Sequence, residues 1–205
     1  MTIIEALILG IVQGLTEFLP VSSSGHLELG TVFLNTQTTD NLLFSVIVHA
    51  ATSLSTIVVF RKEIFFLLKE GLTFRNKNAT QYIIMLGISM IPILVVGLFF
   101  KDEVESLFTG NAHFVAYMLL VTGGLLILSN ILEGKRNEIN GPRAFIIGLA
   151  QAFAVLPGIS RSGATISTAL MLGIDRENAS KFSFLMVLVP ILGATFLEVL
   201  DIVKE

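Results

Sequence analysis

Two stretches of this chain gather polar, chemically capable residues within otherwise oil-like sequence. The first is Gln13–His26, reading Gln13-Gly-Leu-Thr-Glu17-Phe-Leu-Pro20-Val-Ser22-Ser23-Ser24-Gly25-His26. It supplies a carboxylate, three consecutive hydroxyls and an imidazole. The second is Pro157-Gly-Ile-Ser160-Arg161-Ser162-Gly163-Ala-Thr165, which adds a guanidinium with flanking hydroxyls. A guanidinium fork pairs bidentately with phosphate oxygens. A hydroxyl beside a proton carrier is the usual form of an oxygen nucleophile. Together the two stretches suit a phosphate group.

Each residue also has a plainer use. Gln13 and Glu17 are four apart and share one face of a helix. An acid at membrane depth is a functional candidate by default, although Glu17 could simply bond a neighbouring helix. Mg²⁺ is commonly held by one or two carboxylates plus phosphate oxygens, so a phosphate bound with Mg²⁺ or Ca²⁺ would need a carboxylate such as Glu17 near it. One of Ser22, Ser23 and Ser24 is expected as a helix N-cap whatever the function. Capping does not account for three of them followed by His26. Arg161 costs about 2.5–3.5 kcal/mol to insert at membrane depth, and its plainer use is an ion pair with Glu17. Ser160, Ser162 and Thr165 surround it with hydroxyls. Gly163 and the helix start that follows offer backbone N–H groups to an anion. His49 and His113 have no acid at ligand spacing and read as packed or interfacial side chains.

These residues need a membrane scaffold. The 205-residue chain is 53% hydrophobic and only 14% charged, with mean hydropathy +0.82. That is too little charge to cover a water-facing surface, so the expected fold is an all-α polytopic membrane domain. There is no cysteine, which excludes disulfides and thiolate chemistry, and the net charge of −3 argues against nucleic acid as a partner. Met1–Ile11 lacks a basic start and a cleavage site, and is read as mature protein. Crossing the hydrocarbon takes about 20 helical residues. Residues 41–60, 80–100 and 112–132 meet that without a charged side chain, with Pro92 expected to kink the second and Gly123-Gly124 to give the third a close-packing point. Ala6–Thr16 and Ala144–Leu156 are too short. Each is followed by a Pro/Gly/Ser break and a second short apolar piece, Leu27–Leu34 and Ala164–Ile174. That pattern predicts two re-entrant helical hairpins, tolerated where protein or a watery cavity surrounds them. The last apolar segment, Phe182–Leu197, spans if Glu198 and Asp201 sit near the interface. Lys101–Phe108 reads as an interfacial helix and Arg61–Lys77 as a solvated stretch.

Lys and Arg concentrate in residues 61–79, 133–143 and 173–181 and are absent from 34–40. The positive-inside rule then puts the first hairpin's entry outside and the second's inside. The hairpins are also alike in sequence. An ungapped offset of 138 residues aligns Ile8 with Ile146, Gly10 with Gly148, Gln13 with Gln151, Ser22 with Ser160, Ser24 with Ser162, and Gly25 with Gly163. The same offset aligns Phe44-Ser45 with Phe182-Ser183. We expect an inverted-topology repeat, repeat one about 1–72 and repeat two about 139–205, linked by spans 80–100 and 112–132. Folds of that kind bring their site to the midplane.

The chain resembles the undecaprenyl-diphosphate phosphatases of bacterial cell-wall lipid recycling, the bacitracin-resistance type. Gln13 and Glu17 meet that family's Glu/Gln-x-x-x-Glu motif, and Ser22, Ser23, Gly25 and His26 meet its Ser-Ser-x-Gly-His stretch. Pro157, Gly158, Ser160, Arg161, Ser162 and Thr165 meet its Pro-Gly-x-Ser-Arg-Ser-x-x-Thr motif in full. The resemblance implies a plasma-membrane enzyme that removes the terminal phosphate of a C55 polyprenyl diphosphate, needs a divalent cation and opens to the outer face. It assigns Glu17 with Gln13 to the metal and Arg161 to the diphosphate. Ser23 would be the nucleophile, with His26 as acid/base or alternative nucleophile, and Ser22, Ser160, Ser162 and Thr165 would bind phosphate. The chain ends soon after the second repeat's spanning helix, where family members continue with further membrane helices, so a second copy in a homodimer is the candidate to complete the lipid groove. A flippase or secondary transporter is the competing reading, because inverted repeats also build carriers. The Ser-His pair separates the two, since a carrier has no need of it.

Overall fold

The computed structural model describes residues 1–36, 41–107, 112–132 and 137–204. The side chains of residues 41–43, 45, 46, 101, 102, 105, 194 and 197–204 lie outside the description, and so do the expectations for Ser45, Phe108, Glu198 and Asp201. Every regular element among the described residues is helical. In order they are α1 (Ile3–Glu17), α2 (Ser23–Phe33), α3 (Asn41–Val59), α4 (Arg61–Phe66), α5 (Lys77–Phe99), α6 (Lys101–Ser106), α7 (Ala112–Ile131), α8 (Gly141–Phe153), α9 (Arg161–Met171) and α10 (Arg176–Lys204). The basic stretch after α3 is itself wound: α4 runs into a π turn at Leu67–Gly71.

The two broken arms form where the sequence dictates. Thr2 caps α1 in a capping box with Glu5, each side chain bonding the other's backbone N–H. α1 stops at Glu17 because Pro20 lacks an N–H and disfavours helical geometry in the residue before it. α2 restarts at once from its N-cap Ser22. The second arm repeats the plan. Asn140 caps α8, with Pro142 in its first turn. α8 ends before Pro157-Gly158, and α9 restarts from N-cap Ser160. Gly158 sits at φ +94°, a left-handed geometry that only glycine adopts without strain.

α5 and α7 are the two described helices long and apolar enough to cross a membrane. Only 11% and 17% of their most apolar windows are buried, unlike the core helix of a soluble protein. The described apolar part of α3, Ile47–Val59, is shorter. α5 runs as one helix through the buried Pro92.

The main core lies between α8, α9 and α10, where Ala144, Ile147, Ala169, Leu170, Ile174, Phe182 and Met186 are buried together. Tyr82 of α5 meets Phe182 edge-on at 5.7 Å. The close helix contact is not at Gly123-Gly124, as the sequence suggested. A Cβ at either would meet nothing within 4 Å, because the buried positions of α7 are Val115, Thr122 and Ser129. At 100° per residue, positions 123 and 124 are turned away from that seam. The contact is at Gly148 of α8, where a Cβ would lie 2.2 Å from the carbonyl oxygen of Ser89 on α5. Small residues let helix backbones approach this closely. Gly148→Ala is therefore expected to destabilise the fold by about 1–3 kcal/mol or more, read as a lower unfolding temperature and yield in detergent.

Candidate active site

The tips of the two arms touch. A Cβ on Gly25 would lie 3.4 Å from Cα of Gly158, and one on Gly163 would lie 3.1 Å from the carbonyl oxygen of Pro20. The Ser162 hydroxyl donates to the carbonyl of Leu19 at 3.4 Å. Residues more than 130 positions apart are thus brought into close contact.

On the first tip, the last turn of α1 and the first turn of α2 face one another. Gln13 is almost wholly buried, at 1% exposure, and its Nε2 donates to Glu17 Oε2 at 2.9 Å. The Ser23 hydroxyl donates to the same carboxylate oxygen through a very short hydrogen bond. Ser23 is therefore paired with Glu17 and not with His26, three residues along. His26 turns the other way: its Nδ1 lies 2.7 Å from the carbonyl of Ser22. That contact makes Nδ1–H the donor in the neutral ring and leaves Nε2 as the basic nitrogen. Ser22 holds a left-handed backbone at φ 67°, and its hydroxyl accepts from the N–H of Gly25 at 3.3 Å. Such a conformation in a residue other than glycine costs about 1–3 kcal/mol and gathers at functional sites. Ser24 lies 3.3 Å from the Ser22 hydroxyl.

On the second tip, Arg161 opens α9 and is partly buried. Glu17 is the partner that the sequence suggested for its guanidinium. Among the described residues, however, no hydrogen bond or ion pair joins the two side chains. The structural ion pair is therefore not made, and the guanidinium fork is left for another anion. The Ser160 hydroxyl accepts from the N–H of Gly163 at 3.0 Å, as Ser22 does for Gly25. Ser162 lies 3.3 Å from Ser160 Oγ. Thr165 is turned inward at 1% exposure. Its hydroxyl donates to the carbonyl of Arg161 at 2.8 Å and shares a short hydrogen bond with Ser183 of α10. Ser160 and Thr165 therefore brace the tip, while Ser23, Ser162 and Arg161 stand nearer its surface. Outside this cluster, His113 is exposed and His49 is partly buried on α3.

No group of three or more His, Cys, Asp or Glu side chains gathers anywhere among the described residues. The Gln13 Oε1 atom is buried and has no hydrogen-bond partner. Beside it stands Glu17, whose Oε2 takes both donated hydrogen bonds. An amide oxygen next to a carboxylate fits a hard cation that draws its other ligands from phosphate and water. It does not fit a closed, all-protein cage.

Sequence reasoning missed Thr122, Ser183 and Gln151. Thr122 and Ser183 bond the second tip from α7 and α10, contacts that no local spacing announces. Gln151 matches Gln13 under the 138-residue offset, and both polar atoms of its buried amide are unpartnered. That alignment was the one available signal for it.

Comparison with known proteins gives the chain its relatives. The chain is 51% identical over 195 residues to the undecaprenyl-diphosphatase of Christiangramia forsetii, covering 94% of this chain and 74% of the relative. It is 51% identical to that of Parabacteroides distasonis, covering 98% and 76%. It is 49% identical to that of Bacteroides thetaiotaomicron, covering 100% and 78%. The chain thus spans about three quarters of the length of these relatives. Residues 6–205 match the family described as bacitracin resistance protein BacA, and the chain belongs to that family.

Proposed function

We infer that the protein is a membrane phosphatase that hydrolyses undecaprenyl diphosphate to undecaprenyl phosphate and inorganic phosphate, returning carrier lipid to cell-envelope and peptidoglycan synthesis. The observation that carries this reading is a hydroxyl hydrogen-bonded to a carboxylate, Ser23 to Glu17, on one tip, in contact with a second tip bearing Arg161. The half-identical relatives are named for that reaction. A carrier needs a charged pocket but no activated hydroxyl.

In the proposed chemistry the diphosphate lies between the tips with its charge against Arg161. Ser23 Oγ attacks the terminal phosphorus and gives its proton to Glu17. The bond from that phosphorus to the bridging oxygen breaks, and the lipid monophosphate leaves with the electron pair. A water molecule then attacks the phosphoserine and passes a proton to Nε2 of His26. As the serine oxygen departs it regains its proton from Glu17, and inorganic phosphate is released. Catalysis here is mainly positioning and charge neutralisation. A divalent cation held by Gln13 Oε1 and Glu17 would add positive charge beside the phosphate oxygens.

The same reading treats the two arms as re-entrant hairpins of an inverted repeat within a multi-pass protein of the plasma membrane, repeat one about 1–72 and repeat two about 139–205. Two regularities support it. Ser22 and Ser160, aligned by the 138-residue offset, are both N-caps bonding the glycine three residues on. The offset also converts the contact of Gly25 with Gly158 into that of Gly163 with Pro20. The distribution of Lys and Arg over the loops favours entry of the first arm from outside and of the second from inside, and the family resemblance implies a site open to the outer face.

Purified protein in detergent is expected to release phosphate from a C55 diphosphate, to stop with chelator and to recover with Mg²⁺ or Ca²⁺. Labelled lipid equilibrating across liposomes with its diphosphate intact would instead identify a carrier.

A further inference from the structure

α7 is an apolar spanning helix, yet Thr122 at its middle is 2% exposed. Its Oγ1 accepts a hydrogen bond from the backbone N–H of Ser160 at 3.0 Å and donates to the carbonyl of Met118 at 3.2 Å. One hydroxyl is thereby used as both acceptor and donor, and 38 residues separate the two partners of the first bond. Ser160 is the N-cap immediately before Arg161, so this bond ties the turn that aims the guanidinium to a rigid helix. A second point of the same turn is held one heptad earlier on the same seam. A Cβ on Gly158 would lie 2.6 Å from the carbonyl oxygen of Val115. Val115 and Thr122 are two of the three buried positions of α7, so the seam docks this turn at both points. An apolar residue at 122 would leave the Ser160 N–H unpaired in a buried setting, and the turn could regain a partner only by moving.

We propose that Thr122 is a positioning residue for the phosphatase reaction, fixing the Ile159–Ser160 peptide, and with it the N-cap that precedes Arg161, so that the guanidinium meets the transferred phosphoryl group. The proposal rests on the assignment of Arg161 to the diphosphate. Arg161 acts most strongly where charge develops in the transition state, so misplacing it should lower kcat more than it raises KM.

The test compares Thr122→Val, which keeps shape and loses the hydroxyl, with Thr122→Ser, which keeps the hydroxyl and loses a methyl. Rates are taken per folded protein on a C55 diphosphate in detergent, with unfolding temperatures recorded alongside. Thr122→Val is expected to lower kcat about tenfold or more, the rate equivalent of one lost buried hydrogen bond, with KM changed less than about threefold. Thr122→Ser is expected to stay within about threefold of wild type. If Thr122→Val does not fold, Thr122→Ala against Thr122→Ser makes the same comparison. The proposal is overturned if the hydroxyl-free variants keep wild-type kcat, if Thr122→Ser falls as far as they do, or if the loss lies wholly in KM. Arg161→Lys is run in parallel: wild-type activity there would sink the Arg161 assignment itself, a result distinct from any outcome at position 122.

Discussion

Arg161→Ala is expected to lower turnover of the lipid diphosphate by about a thousandfold, in line with the loss of an arginine that neutralises a transferring phosphoryl group. Structure explains why the fold should survive. Among the described residues the guanidinium makes no hydrogen bond or ion pair, with Glu17 or any other side chain. Removing it breaks no bond of the scaffold, because the turn is held instead by Thr122, Ser160 and Thr165 through backbone groups. Arg161→Lys should recover part of the rate, since a point charge replaces the bidentate fork. Phosphate release in detergent, with an unfolding temperature for each variant, is the measurement. Turnover within tenfold of wild type for Arg161→Ala would remove the guanidinium from the reaction.

The second large effect is expected at Glu17. Its Oε2 accepts from both Gln13 and Ser23, and in the proposed chemistry it takes the serine's proton. Glu17→Gln keeps the volume but removes the charge, and should lower kcat by about a hundredfold or more, the usual scale for a positioned base. Ser23→Ala should do the same. Because the two side chains act as a unit, the double variant should be little worse than either single one. Multiplying losses would mean that they work independently. Glu17→Gln should also raise the Mg²⁺ or Ca²⁺ concentration needed for half-maximal rate, which Ser23→Ala should leave nearly unchanged.

How much of this could be read in advance depended on the range of the signal. The broken arms were legible because Pro20, Pro157 and Gly158 interrupt apolar runs locally, and α1, α2, α8 and α9 fall on either side of those breaks. Apolar runs alone put the second helices a few residues too late. Ser23 and Arg161 are already the first residues of α2 and α9, since a serine cap lets a helix begin with polar residues. Spacing suggested Ser23 with His26. The fold instead reaches back six residues, across the break, to Glu17, while His26 is drawn to the carbonyl of Ser22. Thr122 and Ser183 were illegible for the same reason. A single hydroxyl in an apolar helix looks like a residue bonding its own preceding turn, and only packing reveals a second partner.

The near-contact of Gly148 with Ser89 bears on how genetic screens of this protein should be interpreted. Scored by activity alone, nearly every replacement at 148 should read as inactivating, alongside positions 17 and 161. The cause differs, because the obstruction is the carbonyl oxygen of another helix and no reacting group is involved. Counting surviving protein in the membrane fraction would sort these alleles. Those at 148 should be depleted in amount, and those at 17 and 161 abundant but silent.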